Sequence, residues 1–457
     1  MRFKRFSSSI ALCVSLLFGF ALWPPPSGIG AETPAFNAGR EKSLPDESGR
    51  ETVDKDGVLT LQQAVSLALA HNPELKASSW GVRALEGRVF QAGRLPNPEI
   101  TVETEDFGGS GALTGFHAAE TTVQLSQLFE MGGKRPKRQN LSALERDVAE
   151  HDHTVKRADV LAKVTLAFVD ILSAQERQAL MEELLHLAEE AFTSTAERVK
   201  AGKVSPVEEI KAKIALSSAQ IDLKQAGYDL KGAWRRLSET WGGTTPAFQK
   251  AQGDIDFVLP VPPFEELEGL VFQNPDIARW TAAVDQHRAG VKLEEAKGIP
   301  DLRVSLGTKY HHESDDRAFI AGVSIPLPIF DRNRGGILEA RNQLSKTEEE
   351  SKAARSRVVN TLGERYQALS SAFTEITSLQ SDVLPGAQTA FEASREGYRY
   401  GKFTYLDMLD AQRTLIAVKL RYINALTTYH KAVTEVERLI GKKMPELNNA
   451  QQKEKRP

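Results

Sequence analysis

The sequence predicts a mostly helical chain with some β-structure, in which a strand pair followed by a long helical hairpin occurs twice. The run from Lys134 to Val199 carries a heptad pattern and has no proline after Pro136. Short motifs recur in the same order about 200 residues later, which is the signature of an internal duplication. In each copy, two short stretches that alternate apolar and polar residues precede the long run. These observations predict an elongated, duplicated fold of mixed α and β type.

The long run forms one seam when it is read in steps of three and four residues. The seam consists of Val164, Ala167, Ile171, Ala174, Gln178, Met181, Leu185, Ala188, Phe192, Thr195 and Val199. A helix of this length extends roughly 100 Å at 1.5 Å per residue. Because helices in compact domains average about 11–12 residues, this one predicts an elongated, supercoiled bundle.

A helical hairpin follows from the residues after the seam. The helix ends at Ala201-Gly202-Lys203, where glycine is a common helix stop. The next helix begins at Ser205-Pro206, with serine as the N-cap and proline at the first helical position. It continues to about Trp241, a length of roughly 55 Å. Gly202 therefore marks the tip of the hairpin.

Two shorter helices and two strands precede this hairpin. Thr60 begins a capping box, and His71-Asn72-Pro73 separates its helix from a second helix that ends near Gly93. The two strands that follow each have one apolar and one polar face. Their face positions are Ile100, Val102 and Thr104 in the first strand and Thr121, Val123 and Leu125 in the second.

The second copy repeats these landmarks. Asn72-Pro73 recurs as Asn274-Pro275, an offset of 274 − 72 = 202, and Gly202 recurs as Gly401, an offset of 401 − 202 = 199. The second copy predicts strands through Leu302, Val304, Leu306 and Thr308 and through Phe319, Ala321, Val323 and Ile325. Its long helix, from about Asn333 to Arg399, places Leu362, Tyr366, Leu369, Phe373, Ile376 and Val383 on one seam.

The chain divides into six predicted segments. They are a signal peptide at 1–31, a flexible linker at 32–57, the first repeat at 58–243, a connector at 244–263, the second repeat at 264–442 and a polar tail at 443–457. The first segment has a basic start and an apolar core that ends before Ala31. Cys13, the only cysteine, lies in that core after Leu12, so we expect neither lipidation nor a disulfide in the mature chain.

Charge and motif content exclude several classes of function. A net charge of −3 is not the basic balance typical of nucleic-acid binding. No nucleophile–base arrangement stands out, so we expect no enzyme activity and no cofactor. The histidines and acids of the loop His311–Asp316 fit either a metal-capturing external loop or a solvated loop, and the solvated loop is favoured.

The strand count predicts an assembly. Four strands cannot close a transmembrane barrel, because the smallest known barrels need about eight, and open strand edges cannot face lipid. No apolar run after residue 31 reaches the length of a transmembrane helix. Three copies supply 3 × 4 = 12 strands and twelve helical staves. The prediction is a trimeric tube, in which a 12-stranded β-barrel continues into a 12-helix α-barrel.

Three stretches of the sequence carry a family resemblance. They are LSQLFEMGGKR at Leu125 to Arg135, PLPIFDRN at Pro326 to Asn333 and YRYGKFTYLDMLDAQ at Tyr398 to Gln412. Together with the duplicated layout over about residues 58–442, they resemble the outer-membrane efflux channels of the TolC type. The first two stretches look most like the cobalt–zinc–cadmium (CzcC-like) heavy-metal branch.

The resemblance implies a homotrimeric, passive exit duct in the bacterial outer membrane, with most of the chain in the periplasm. Its partners would be outer-membrane lipid, a periplasmic adaptor (membrane fusion) protein and an inner-membrane, proton-driven pump of the resistance–nodulation–division (RND) type. Heavy-metal cations are the expected cargo, ahead of drugs or organic solvents and of secreted polypeptides. The rival from another class is a periplasmic coiled-coil adaptor, although an adaptor would have one hairpin flanked by β-domains.

The resemblance also implies a periplasmic gate. In this family two aspartates just after the second tip glycine line the closed end, and Asp407 and Asp410 stand there. They share a helix face, so three copies would form acidic rings that attract cations. The alternative is that acids simply favour a helix N-terminus.

The other tip residues assigned to the site are Gly202, Glu208 and Lys211 in the first copy and Tyr398, Gly401 and Lys402 in the second. Lys211 and Lys402 are the candidate cationic partners of the aspartates.

Overall fold

The computed structural model describes residues 57–244 and 248–444. The predicted signal peptide, and nearly all of the predicted linker and polar tail, lie outside these residues. Within the described ranges, no helix combines the length and the apolar character that crossing a membrane requires. The described part is mainly helical, with one sheet of four strands and one of two.

The first copy contains the predicted strand pair and helical hairpin. Its elements are β1 (Val58–Thr60), α1 (Leu61–His71), α2 (Pro73–Ala92), β2 (Glu99–Glu105), β3 (Glu120–Phe129), α3 (Lys134–Lys200) and α4 (Pro206–Glu239). The predicted capping box at the start of α1 is present, with Thr60 N donating to Gln63 Oε1 at 2.8 Å. α3 is one α-helix of 67 residues. All its predicted seam positions are buried or partly buried, which confirms the heptad interpretation.

The second copy repeats this order, with one break in its long helix. It is preceded by β4 (Lys250–Gln252), which lies in the predicted connector, and contains α5 (Phe264–Leu270), α6 (Pro275–Lys297), β5 (Leu302–His311), β6 (Asp316–Ser324), α7 (Arg334–Ser378), α8 (Leu384–Arg399) and α9 (Tyr405–Ile440). A π-helical turn, Leu379–Val383, separates α7 from α8, and Pro385 follows in the first turn of α8. We call this segment the π-turn.

The π-turn makes one sequence prediction wrong. Val383 does not lie on the buried seam of the second long helix, because it is 43% exposed. Leu379 is buried in its place, at 3% exposure. A π-helical turn holds more residues than an α-helical turn, and it therefore rotates every later position relative to the seam.

The connector contains structure that the sequence analysis missed. β4 pairs in parallel with β1, and both strands have three residues, too few to show an alternating pattern. The Tyr429 hydroxyl on α9 accepts from Leu259 N at 2.9 Å and donates to Leu259 O at 2.8 Å. These bonds fix the connector against α9.

The larger sheet has four antiparallel strands in the order β2-β3-β5-β6. The predicted apolar face is present, because Ile100, Leu125 and Leu306 lie in register across neighbouring strands. This face is strongly exposed in the single chain, where Ile100 is 71% and Phe319 is 95% exposed. In the described chain, β2 and β6 each have one strand neighbour, so both edges of the sheet are open.

The duplication extends to the hydrogen bonds of two buried asparagines. Asn72 caps α2 through Oδ1, which accepts from Leu75 N at 2.9 Å, and its Nδ2 donates to Thr240 O at 2.7 Å. Asn274 caps α6 in the same way, and its Nδ2 donates to Leu439 O at 2.7 Å. Each asparagine joins the start of one helix to the end of the helix that returns from the tip. This shared role explains why the Asn-Pro motif occurs in both copies.

Replacing Asn274 with alanine is expected to lower the free energy of unfolding by about 2–4 kcal/mol. The change removes the cap of α6 and leaves the Leu439 carbonyl without its donor. The measurement is the denaturant midpoint followed by circular dichroism. Asn342→Ala is the control, because Asn342 is exposed on α7 and alanine favours a helix interior. Equal midpoints for Asn274→Ala and the unaltered chain would contradict the assigned role.

Candidate functional site

The two hairpin tips have the same backbone turn. Gly202 and Gly401 adopt left-handed φ angles of 67° and 72°, which glycine takes without steric cost. Beyond each glycine a lysine amide closes the helix end. Lys203 N donates to Arg198 O at 2.9 Å, and Lys402 N makes the equivalent bond at 2.8 Å. These bonds are those of the Schellman motif, so the duplication produces two tips with equivalent backbones.

Asp407 lies in the first turn of α9 and completes a capping box. Its Oδ2 accepts from Thr404 N at 2.8 Å and from Thr404 Oγ1 at 2.7 Å. The hydrogen bond from the Thr404 side chain, with that from its backbone, lowers the pKa of the Asp407 carboxyl. Asp410 follows three residues later, and both residues are exposed. The helix-terminal role is therefore present for Asp407, while the gate role stays a prediction.

Within one chain, the tip lysines Lys211 and Lys402 do not pair with the carboxylates of Asp407 and Asp410. Among the described residues, neither Lys211 nor Lys402 forms a salt bridge, and Thr404 holds the Asp407 carboxylate instead. Pairing between copies stays a prediction.

Glu208 differs from the aspartates of the second tip in its surroundings. Its Oε2 is buried and is without a hydrogen-bond partner in the described chain. Burial raises the pKa of the nearby Tyr405 hydroxyl, and the charges of Tyr398 and, more weakly, Glu208 add to that rise. One Glu208 oxygen thus lies among packed helices, whereas Asp407 is exposed.

Four side chains join the two hairpins near the tips, and we call Thr195, Arg198, Tyr398 and Tyr405 the tip clasp. The buried Tyr398 hydroxyl forms a hydrogen bond with Thr195 Oγ1 at 3.1 Å. Arg198 Nη1 donates to Tyr398 O at 2.8 Å, and the guanidinium carbon lies 4.4 Å from the centre of the Tyr398 ring. Tyr405 packs edge-on against that ring, with centroids 5.9 Å apart. α3 therefore holds the end of α8 through one tyrosine.

The sequence analysis assigned Tyr398 to the tip and missed its partners on α3. Thr195 and Tyr398 are 203 residues apart in the chain, and no local pattern connects them. The available signal was that Thr195 is a polar residue on an apolar seam. Buried polar groups are nearly always hydrogen-bonded, so this position indicated a distant partner.

The two histidines of the predicted loop, His311 at the end of β5 and His312 just after it, have separate partners. His311 Nδ1 lies 2.8 Å from Glu120 Oε1, and His312 Nε2 lies 3.3 Å from Thr121 Oγ1. Within the part of the chain that the structure describes, no group of three or more His, Cys, Asp or Glu side chains is placed to hold a metal ion.

Comparison with known proteins gives concordant matches. The family described as "Outer membrane efflux protein" matches residues 64–243 and 270–442. The chain is 36% identical over 386 residues to the cobalt-zinc-cadmium resistance protein CzcC of Cupriavidus metallidurans, covering 84% of this chain and 91% of that protein. It is 27% identical to the nickel and cobalt resistance protein CnrC of the same organism, covering 70% of this chain and 72% of that protein. The crystal structure of a membrane protein from Pseudomonas aeruginosa superposes with a TM-score of 0.74 at 18% identity, covering 86% of this chain and 91% of that one.

Proposed function

The chain belongs to the outer membrane efflux protein family, and from that premise we propose that it is the outer-membrane exit duct of a heavy-metal efflux pump. The assignment of heavy-metal cations as the cargo rests on the 36% identity, over 84% of this chain, to a cobalt-zinc-cadmium resistance protein. The family consists of channels rather than enzymes. The exposed apolar face of the sheet supports the contact with outer-membrane lipid, and the long helices occupy the periplasm.

A trimer accounts for the surfaces that one chain leaves open. Pairing of β6 with β2 of the next copy would close 3 × 4 = 12 strands into a barrel. α4 also carries an exposed apolar stripe with heptad spacing, which is a coiled-coil seam that no described residue of the same chain covers. The stripe comprises Val207, Ile210, Ile214, Ile221 and Tyr228, which are 53% to 67% exposed. We assign as its partner α8 of a neighbouring copy, whose small exposed residues Gly386, Ala390 and Ala393 have matching spacing.

Replacing Ile221 with glutamate is expected to break the trimer into monomers. Each assembly would bury three unpaired carboxylates along its seams, and an uncompensated buried charge costs several kcal/mol. The measurement is the mass in detergent by light scattering coupled to size-exclusion chromatography. Gln220→Glu is the matched control, because it adds the same charge at the adjacent exposed position of α4. If the Ile221→Glu protein is still a trimer, the assigned seam between α4 and α8 is wrong. If the unaltered protein is a monomer, the proposed trimer is wrong.

The duct needs partners to span the periplasm. We assign the periplasmic adaptor to the hairpin tips, because the 67-residue α3 carries them roughly 100 Å from the sheet. We assign the supply of energy to the RND-type pump, since the family of this chain consists of outer-membrane channels. Within the trimer, the six carboxylates of Asp407 and Asp410 stand at the narrow end and form the gate.

The test of the proposed function is metal tolerance in cells. A strain that lacks this chain should lose growth in cobalt, zinc and cadmium salts, and a plasmid copy should restore it. The same strains are scored on drugs and organic solvents. Restored tolerance to drugs without restored tolerance to metals would overturn the cargo assignment. Fractionation of the chain with the inner membrane would instead favour the adaptor alternative.

A further inference from the structure

We propose that a ring of arginines at the junction of sheet and helices binds the phosphate groups of phospholipids in the periplasmic leaflet of the outer membrane. The ring consists of Arg94, Arg135, Arg332 and Arg334, and we call these residues the junction arginines. The proposal rests on the proposed function only in placing the sheet in the outer membrane. It assigns a ligand class to a surface that the exit duct itself does not use.

The apolar face of the sheet sets the depth of the membrane. The ten-residue strands β3 and β5 each cross roughly 23 Å of membrane, at about 3.3 Å per residue and a strand tilt of about 40°. That distance is most of the roughly 25 Å apolar band of an outer-membrane barrel. Phe319 and Val323 on β6, and Leu327 just beyond its end, are 95%, 70% and 76% exposed. The residues just after Leu327 therefore lie at the level of the lipid headgroups.

Exposed apolar side chains continue at that level on three junctions between strands and helices. Leu95 lies between α2 and β2, Met131 between β3 and α3, and Ile329 and Phe330 between β6 and α7. Leu95 is 56% exposed and Phe330 is 98% exposed. Met131 and Ile329 are 46% and 65% exposed, so the described chain leaves much of this apolar surface uncovered. Acyl chains continuous with those around the sheet would cover this surface, which a free phosphate ion cannot do.

The junction arginines accompany these apolar residues and lack acidic partners. All four are exposed, and none forms a salt bridge with a described residue. Two of the neighbouring cations are neutralised, because Lys134 pairs with Asp301 at 2.7 Å and Arg138 pairs with Glu130. The junctions thus contain a paired set of charges and a second set of guanidinium groups that are free to meet an anion.

Local contacts hold two of the junction arginines in place. Arg94 lies over the Phe90 ring at 3.8 Å, and Arg332 Nε donates to Pro328 O at 2.9 Å. That bond leaves the terminal nitrogens of Arg332 available, and a guanidinium fork matches the geometry of phosphate oxygens. The adjacent Asp331 carboxylate accepts from Asn333 N at 2.8 Å and is engaged in its own turn.

The trimer would concentrate this positive charge at each boundary between copies. Arg332 and Arg334 follow β6, and Arg94 precedes β2, so closing the barrel brings these residues of adjacent copies to one place. Like charges that converge repel one another, and an anion bound between them would offset that repulsion. Lipid phosphates supply that charge at this depth, and the apolar neighbours select a lipid over a soluble phosphate.

The test compares lipid binding by trimers of the full chain. The probe is phosphatidylglycerol added to detergent-solubilised protein, with bound lipid counted by native mass spectrometry. Replacing the four junction arginines with glutamine is expected to weaken phosphatidylglycerol binding on the order of tenfold. The control replaces four exposed arginines distant from the junctions, namely Arg157, Arg235, Arg357 and Arg413, with glutamine. It should bind as the unaltered chain does.

Three outcomes would overturn the proposal. They are unchanged lipid binding in the junction variant, an equal loss in the control, and full displacement of lipid by millimolar inorganic phosphate, which would show an ion site. Loss of lipid with the trimer intact supports it. Because the readout is lipid mass, the result is independent of metal tolerance in cells, and the two proposals can fail separately.

Discussion

Replacing Asp407 and Asp410 together is expected to raise the conductance of the reconstituted channel several-fold and to weaken its block by divalent cations. Asp407→Asn with Asp410→Asn removes both charges. The amide oxygen that replaces the carboxylate at position 407 can still accept from Thr404 N, so the helix cap survives. The double alanine variant removes the charge together with the side-chain half of the capping box, although Thr404 Oγ1 can still accept from the backbone N of residue 407, and it should open the gate further. The measurement is single-channel conductance in planar bilayers with added divalent salt.

The negative charge of Asp407 should persist in mildly acidic solution. The hydrogen bonds from Thr404 lower the pKa of Asp407, so its carboxylate stays charged to a lower pH than an ordinary aspartate. Block by divalent cations should therefore survive acidification to about pH 5, above the reference pKa of about 3.9 for aspartate. Asp222→Asn with Asp229→Asn is the matched control, since it removes two exposed charges from α4 away from the tip. A folded Asp407/Asp410 double variant with unchanged conductance and block would show that these residues are not the constriction.

Replacing Tyr398 with alanine is expected to release the second hairpin from α3 and to leave the channel open. The change empties a buried aromatic site, which costs about 3–5 kcal/mol, and removes the partner of Thr195 Oγ1. Tyr398→Phe removes only the hydroxyl, and should cost about 1–3 kcal/mol through the unpaired threonine. The measurements are bilayer conductance and the entry of a large antibiotic into intact cells.

Tyr400→Ala is the control for this experiment. It removes the same side chain two residues away, where Tyr400 is 69% exposed. Conductance should be highest for Tyr398→Ala and intermediate for Tyr398→Phe. Tyr400→Ala and the unaltered chain should have the same, lowest conductance. If Tyr400→Ala opens the channel as much as Tyr398→Ala does, the tip clasp does not hold the gate.

Features encoded within a few neighbouring residues could be predicted from the sequence. The capping box at Thr60, the glycine turn at Gly202 and the seam of α3 depend on residues within one or two helical turns. The recurring Asn-Pro motif predicted the duplication, although its purpose emerged only from the bond between Asn72 and Thr240, which are 168 residues apart.

Features that depend on distant contacts could not be predicted in this way. The pairing of β1 with β4 joins the start of the first repeat to the connector that follows it, and the tip clasp joins residues of different repeats. The error at Val383 has a different origin, because a heptad reading assumes constant helical pitch and the π-turn changes it. For the candidate site, the sequence predicted the positions of the tips and the shared helix face of the two aspartates. The action of these aspartates as a gate depends on neighbouring copies of the chain.

The π-turn has a consequence for symmetry. A tube built from six similar hairpins would approach sixfold symmetry, and any bending would then be shared equally by all six. The described part of the first copy has an unbroken α3, whereas the second copy is interrupted at Leu379–Val383. In the proposed trimer, stiff and interrupted hairpins alternate around the axis and only threefold symmetry remains. The interrupted hairpins are those that carry Asp407 and Asp410, and π-helical turns are places where helices kink, so any bending of the proposed trimer would fall on three of its six hairpins.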